Sequence, residues 1–469
     1  MTGLLLYLAN IITFLPEPPS IITYPSENQG PEEPDTPELV RKATRPSNSP
    51  AGQQVKVIAS STPLHIAVPI PDLEQDAPTE EFFTGIEIGD GIAFDDGEGP
   101  GWDKPDTDVL SKRCDLNDRM KRITENGGTP QCEEAVVKSL KWLQKQQNRD
   151  GSWGDGPQNY KCAMTGLALL SYLAHCETPL SEEFGENVLK GISFLVDQGM
   201  KSPVISLVPQ MNEVSYDHAV ATYALCEAYT FCKQMDIPSI ANLEKVVIKA
   251  VDRIIDAQCP NGGWAYSYNN KINPDIDLSV TGWNVQALKA AEHGGIKPTK
   301  GDIRSTLRKA SSYVRKNVMP DGKFAYKENG NMPRSSLVGV GVLSLQMTGN
   351  GSDSAARKGL DWIKNNVKTL QWGQGSGTEN VKSNLYMHYY CVQAAMNRGG
   401  DVWTSYNKAF RDAVLSGQNA DGSFRKNDVG YVSGMTGKSE NIYRQCLATL
   451  MLETYYRFLP GTGEGTKNS

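Results

Sequence analysis

Residues 131–460 predict an all-α fold, a double ring of six helical pairs or (α/α)6 toroid, and three observations carry this. Helical pairs recur at a nearly constant period. Each pair joins a one-faced helix to one that is apolar all round. A turn built from Gln, Gly and an aromatic residue recurs between the two. A long N-terminal segment, predicted to be disordered, precedes the ring.

At the start of the chain, residues 1–15 (MTGLLLYLANIITFL) are apolar and uncharged. They are shorter than the roughly 20 residues of a bilayer span, and they lack the basic region and cleavage site of a secretory signal. Two readings stay open: a loosely packed terminus, or the end of a membrane anchor that begins upstream. Residues 16–80 hold thirteen Pro, and residues 81–110 are acidic and Gly-rich. With the chain up to residue 130 they read as a mostly disordered spacer. Residues 70–108 carry thirteen Asp and Glu against one Lys, so the net charge of −7 belongs to the spacer and leaves the rest slightly basic. That balance argues against a nucleic-acid partner. In composition the first 130 residues resemble the amino-terminal half of TonB-type energy transducers, which implies tethering to a membrane or to an envelope protein. Residues 461–469 read as a flexible tail.

From Glu133 onward the pattern is helical. Val136, Leu140 and Leu143 form an i, i+4, i+7 stripe, while Lys138, Lys141 and Lys145 lie elsewhere on the same helix. Its partner, CAMTGLALLSYLA, is apolar on every side and must be buried all round. Such second helices begin near Tyr160, Ser215, Asp277, Ser335, Asn384 and Asn441, roughly 50–60 residues apart. One-faced helices outside and buried helices inside describe two concentric rings. A solenoid is the alternative, but it needs polar capping repeats, and none is evident.

Three turns share one pattern, Gln147–Trp153 (QNRDGSW), Gln258–Trp264 (QCPNGGW) and Gln418–Phe424 (QNADGSF). A fourth, Pro320-Asp-Gly322-Lys-Phe324, lacks the Gln. The Gly is expected to end the outer helix in a left-handed cap, the aromatic to fill the gap between pairs, and the Gln amide to satisfy loose groups at helix ends. This pattern resembles the QW repeat of squalene-hopene and oxidosqualene cyclases. Residues 130–460 resemble single-toroid prenyltransferase and squalene oxidase repeat proteins of the terpenoid cyclase and protein prenyltransferase superfamily, most tellingly in DHAVATYALCEAY, DLSVTGWNVQALKAA and LATLMLETYYRFLP. The resemblance implies the toroid and an isoprenoid or lipid ligand. The motif is architectural and leaves catalysis open.

The resemblance singles out Asp275 and Asp277 as candidate catalytic carboxylates. Class II terpene cyclases carry Asp-x-Asp-Asp at this place, and the middle carboxyl protonates an alkene or epoxide. Asp277 matches that donor and Asp275 the first Asp, while Leu278 replaces the last. Asp277 is equally placed to cap the helix that follows it. Protein prenyltransferases hold zinc nearby with Asp-x-Cys and a later His. Here Ser279 stands where that Cys is expected and His388 lies one place off, a rotation of about 100° on a helix, so neither metal nor cofactor is expected. Near the inner-helix starts, Tyr216, Asp217, His218, Trp283, Tyr386, His388, Tyr390 and Tyr443 are candidate ligand-binding residues, since aromatic faces suit a polyprenyl chain and its cations. Tyr stripes on buried helices also serve packing, and His218 reads equally as a hydrogen-bonded inner-ring histidine.

Of nine cysteines, Cys162, Cys226, Cys391 and Cys446 lie in apolar helical patterns and read as small buried hydrophobes. Cys114 and Cys132 flank the start of the folded region and could pair if the compartment is oxidising, a pairing the sequence leaves open. Two functions from different classes follow: a toroid that binds an isoprenoid, lipid or protein in or at the mouth of its central cavity, and an active class II polyprenyl cyclase. The single ring and the incomplete Asp motif put binding first.

Overall fold

The structure, a computed structural model, describes residues 113–156, 160–210, 214–268, 275–327, 333–373, 384–426 and 437–457. The expected N-terminal anchor, the spacer up to residue 112 and the tail lie outside them. The described residues begin before the expected boundary at 131. Helix α1 (Leu116–Glu125) is N-capped by Asp115, whose carboxylate accepts from the Asp118 N–H. Six pairs follow. The outer helices are α2 (Pro130–Gln146), α4 (Gly185–Lys201), α6 (Leu243–Ala257), α8 (Ile303–Lys316), α10 (Ser354–Asn366) and α12 (Gly400–Ser416). The inner helices are α3 (Lys161–Ala174), α5 (Val214–Gln234), α7 (Leu278–His293), α9 (Val338–Met347), α11 (Leu385–Arg398) and α13 (Gly437–Leu452). A short α14 (Thr454–Arg457) ends the described chain. Helix α13 starts four residues before the expected Asn441.

Each inner helix packs on the next, and α13 packs back on α3, so the ring is closed. Burial follows the two predicted patterns. In α2, Val136, Leu140 and Leu143 are buried on one stripe. In α3 every residue from Cys162 to Ala174 is buried. Among the described residues no helix is long and apolar enough to cross a membrane.

The recurring turn explains why the ring closes. Gln147 Nε2 donates to the Gly151 carbonyl in its own turn and to the Asn187 carbonyl on α4, both at 2.9 Å. Gln258 reaches Thr306 on α8 in the same way at 2.8 Å, and Gln418 reaches Ala135 on α2, also at 2.8 Å. The last turn therefore bonds the first outer helix. The turn Gly is not the helix cap that was expected, because α2 ends at Gln147 in extended backbone and Gly151 follows four residues later at φ 84°. Its position is set by close approach. A Cβ on Gly151 would lie 2.4 Å from the Lys190 carbonyl oxygen, and one on Gly422 would lie 2.3 Å from that of Lys138. The aromatic completes the joint: Trp153 and Trp264 are buried, and their indole N–H groups donate to Leu143 and Ile254.

Candidate binding site at the mouth of the inner ring

Two of the turns continue into short hairpins at the start of inner helices. Strand β1 (Trp264–Ala265) pairs antiparallel with β2 (Ile276–Asp277), placing Trp264 opposite Asp277. Strand β3 (Phe324–Ala325) pairs with β4 (Pro333–Arg334). Each hairpin hands a tyrosine to the mouth. The Tyr266 carbonyl accepts from the Ser215 N–H at the start of α5, and the Tyr326 carbonyl accepts from the Leu278 N–H at the start of α7. This pinning brings both phenols over the N-terminus of α7.

Asp277 is fully buried and is the N-cap of α7. Its Oδ1 accepts from the backbone N–H groups of Ser279 (2.5 Å) and Val280 (3.1 Å) and from the Ser279 hydroxyl. Its Oδ2 accepts from the Tyr266 hydroxyl at 2.8 Å. Tyr266 shares a second hydrogen bond with the Tyr326 hydroxyl, and Ser279 Oγ shares one with the Tyr216 hydroxyl at 2.7 Å. A chain of five groups, Tyr326–Tyr266–Asp277–Ser279–Tyr216, thus crosses the mouth. Burial first, and then neighbouring charge, holds these phenols in the protonated, donating form. The pKa of Tyr216 is raised by burial and the Asp277 carboxylate, that of Tyr266 by burial, Tyr216 and Asp277, and that of Tyr326 by burial and Asp277.

Aromatic faces line the wall beside this chain. Tyr216 meets Tyr160 and Tyr266 edge to face. Trp283 stacks on Tyr389 at 5.7 Å and meets Tyr390 edge-on at 5.5 Å, and Tyr390 in turn meets Tyr386 at 5.0 Å. Tyr390 accepts a hydrogen bond from Gln286 Nε2 at 3.0 Å. Burial first, and then the neighbouring Tyr390, raises the pKa of the Tyr386 phenol well above its usual value.

Of the residues expected from sequence, the structure joins Asp277 to Tyr216 through Ser279, and Trp283 to Tyr390 and Tyr386, while Tyr443 is buried on α13. Four do not join them. Asp275 is exposed at the rim and ion-paired with Lys327. Asp217 is buried, with Oδ1 accepting from the Ala163 N–H of α3 and Oδ2 from Ser206, and burial raises its pKa to about 6. His218 uses both ring nitrogens in packing, toward the Ile205 N–H at 2.9 Å and the Ala250 carbonyl at 3.0 Å. Burial lowers its pKa to about 3, so it is the neutral inter-helix histidine of the plainer reading. His388 faces the outer ring, with Nδ1 2.7 Å from the Tyr406 hydroxyl of α12, and burial lowers its pKa to about 4.

Sequence reasoning missed Tyr266 and Tyr326. A signal existed: both stand two places after the turn aromatic, in Trp264-Ala265-Tyr266 and Phe324-Ala325-Tyr326. Among the described residues no three His, Cys, Asp or Glu side chains converge on a metal position. A cleft of about 310 Å³ opens elsewhere, outside the ring between α6 and α8, beside Gln258, Cys259 and Asp302.

No family model matches the chain, and no curated protein is similar to it. Solved structures are. An inactive variant of the alpha-1,6-mannanase GH76A of Salegentibacter sp. HEL1_6, in complex with alpha-1,6-mannotriose, aligns at 11% identity and TM-score 0.50 over 69% of this chain and 99% of its own. A variant of the type II terpene cyclase MstE from Scytonema, in complex with merosterolic acid A, aligns at 12% identity and TM-score 0.47 over 73% and 99%. At such identities the likeness concerns fold and not ligand. With the closed inner ring, it places the chain among the α/α toroids.

Proposed function

We propose that the toroid binds an amphiphilic isoprenoid or similar lipid at its mouth, with the polar end on the hydroxyl chain and the body against Trp283, Tyr389, Tyr390 and Tyr443. One observation carries this reading. The hydroxyls of Tyr216, Tyr266, Ser279 and Tyr326 are strung on one buried carboxylate beside a contiguous aromatic wall. Such a wall offers dispersion contact and π-faces, and the hydroxyls supply both donors and acceptors. Asp277 in this role fixes the chain in place through its cap contacts.

The test is titration of the full chain with farnesol and geranylgeraniol, read by tryptophan fluorescence and calorimetry. Saturable binding is expected, weakened about tenfold in Tyr266→Phe, as for the loss of one hydrogen bond next to a charge. Wild-type protein that binds neither alcohol would refute the reading.

A second reading is a class II cyclase with Asp277 as general acid. The observation favouring it is that Asp277 is buried at the helix start where the family's donor stands. Incubation with squalene and shorter polyprenyl substrates tests it: cyclised product that persists in Asp277→Asn excludes Asp277 as donor.

A further inference from the structure

The opposite end of the ring is built differently. The pairing of Cys114 and Cys132 that the sequence left open is not made: Cys114 is bridged to Cys176, while Cys132 is a free, buried thiol in the first turn of α2. Cys176 follows the C-terminus of α3, so the bridge ties the chain just before α1 to the base of the inner ring, 62 residues along. The same short segment is held by charge. Arg113 is buried, with its guanidinium 5.4 Å from the Phe231 ring of α5, and its carbonyl accepts from Arg119 Nη1 at 2.9 Å. Arg119 Nε and Nη2 each lie 3.0 Å from Glu133 Oε1, and His175 Nε2 lies 3.1 Å from the same oxygen. Beyond α1, the Asn126 carbonyl accepts from Trp403 and the Gly127 carbonyl from Asn407 and Arg411, all on α12. Residues 113–128 therefore form a cap across the base, bonded to α2, to Cys176 just after α3, to α12 and to α14, with Arg113 against α5.

The distribution of sulfur is equally one-sided. Both bridged cysteines are partly exposed, whereas the seven free thiols are all buried. Burial raises the pKa of Cys232 to about 11 and that of Cys391 to about 12, which makes them poor thiolates. The one cysteine pair that an external thiol can reach is the one that holds the cap.

We propose that Cys114–Cys176 is a redox-set clasp: the chain matures in an oxidising compartment, where the bridge locks residues 113–128 onto the base, and reduction frees this cap while the ring stays folded. The reaction is thiol–disulfide exchange. An external dithiol attacks the bridge, supplies two electrons and two protons, and leaves as its own disulfide, and Cys114 and Cys176 become thiols. The ring is independent of the clasp because its closure rests on the Gln418 turn and the α13–α3 contact, neither of which includes residues 113–128.

The test is hydrogen exchange on the full chain, oxidised and after dithiothreitol, together with Cys114→Ser and Cys176→Ser. Thiols are also counted by alkylation in denaturant before and after reduction. Seven are expected to label before reduction and nine after. Protection of residues 113–128 is expected to fall at least about tenfold on reduction and in both variants, with α3, α5 and α13 unchanged. Nine thiols labelling without reduction would remove the bridge itself. A reduced cap that keeps its protection, or a ring that loses protection together with the cap, would overturn the clasp.

Discussion

The two ends of the inner ring solve opposite problems with the same six helices. At the mouth, a single buried carboxylate is served by hydroxyls and flanked by aromatic faces. At the base, Arg119, His175, Glu133 and Glu177 form a buried ion network next to a disulfide, and Arg457 pairs with Glu227 at 2.7 Å. Paired ions and a crosslink hold elements together, although Glu133 Oε2, Glu227 Oε2 and both carboxylate oxygens of Glu453 find no hydrogen-bond partner among the described residues. Hydroxyls beside π-faces hold less and offer more. The comparison assigns stability to the base and recognition to the mouth.

The largest stability effect is therefore expected at Glu133. Glu133→Gln leaves Arg119 and His175 buried without their carboxylate, at a cost of up to about 5 kcal/mol, measurable by urea denaturation. Its pH dependence sharpens the point. Burial and Arg119 push the His175 pKa down, yet Glu133 and Glu177 outweigh them and hold it at about 9. That contribution is complete below pH 6.5 and is lost as pH rises through 9. For Glu133 itself burial raises the pKa, but His175 and Arg119 draw it down to about 2. Its contribution is present above pH 4.5 and is lost as pH falls through 2. The wild-type urea midpoint should plateau between pH 4.5 and 6.5, and Glu133→Gln should flatten both limbs. A steep limb that survives the substitution would place the titrating group elsewhere.

Gly422→Ala follows at up to about 3 kcal/mol, since it combines φ of 90° with a clash against the Lys138 carbonyl at the ring's seam. Gly295→Ala is its control: φ is 68° there, but nothing lies within 4 Å of the new Cβ, so only about 1 kcal/mol is expected. Equal losses at the two glycines would remove the seam from the account.

Least stability is at stake at the mouth. Asp277→Asn keeps a competent N-cap and should cost under about 1 kcal/mol, while ligand binding falls. Calorimetric melting and titration on one sample separate the two effects.

The double ring was legible because its signals are periodic. All-round apolarity at CAMTGLALLSYLA and the Gln-Gly-aromatic turns read directly as inner helix and joint. Within the site, Asp277, Trp283 and Tyr390 were legible by position on an inner helix. His388 was not separable from them, because one step on a helix turns a side chain about 100°, here toward Tyr406 of α12. Tyr266 and Tyr326 escaped notice because they lie on hairpins, where helical periodicity says nothing. The Cys114 partner escaped because Cys176 is close in space through the return of α3 to the base, and sequence distance carries no trace of that.

The division between the ends is tested most directly by one paired measurement, geranylgeraniol affinity and melting temperature for Tyr266→Phe and Glu133→Gln side by side. The account predicts that Tyr266→Phe loses binding with its melting temperature nearly kept, and that Glu133→Gln melts far lower yet binds normally while folded. Unchanged affinity in Tyr266→Phe, or weakened affinity in folded Glu133→Gln, would contradict it.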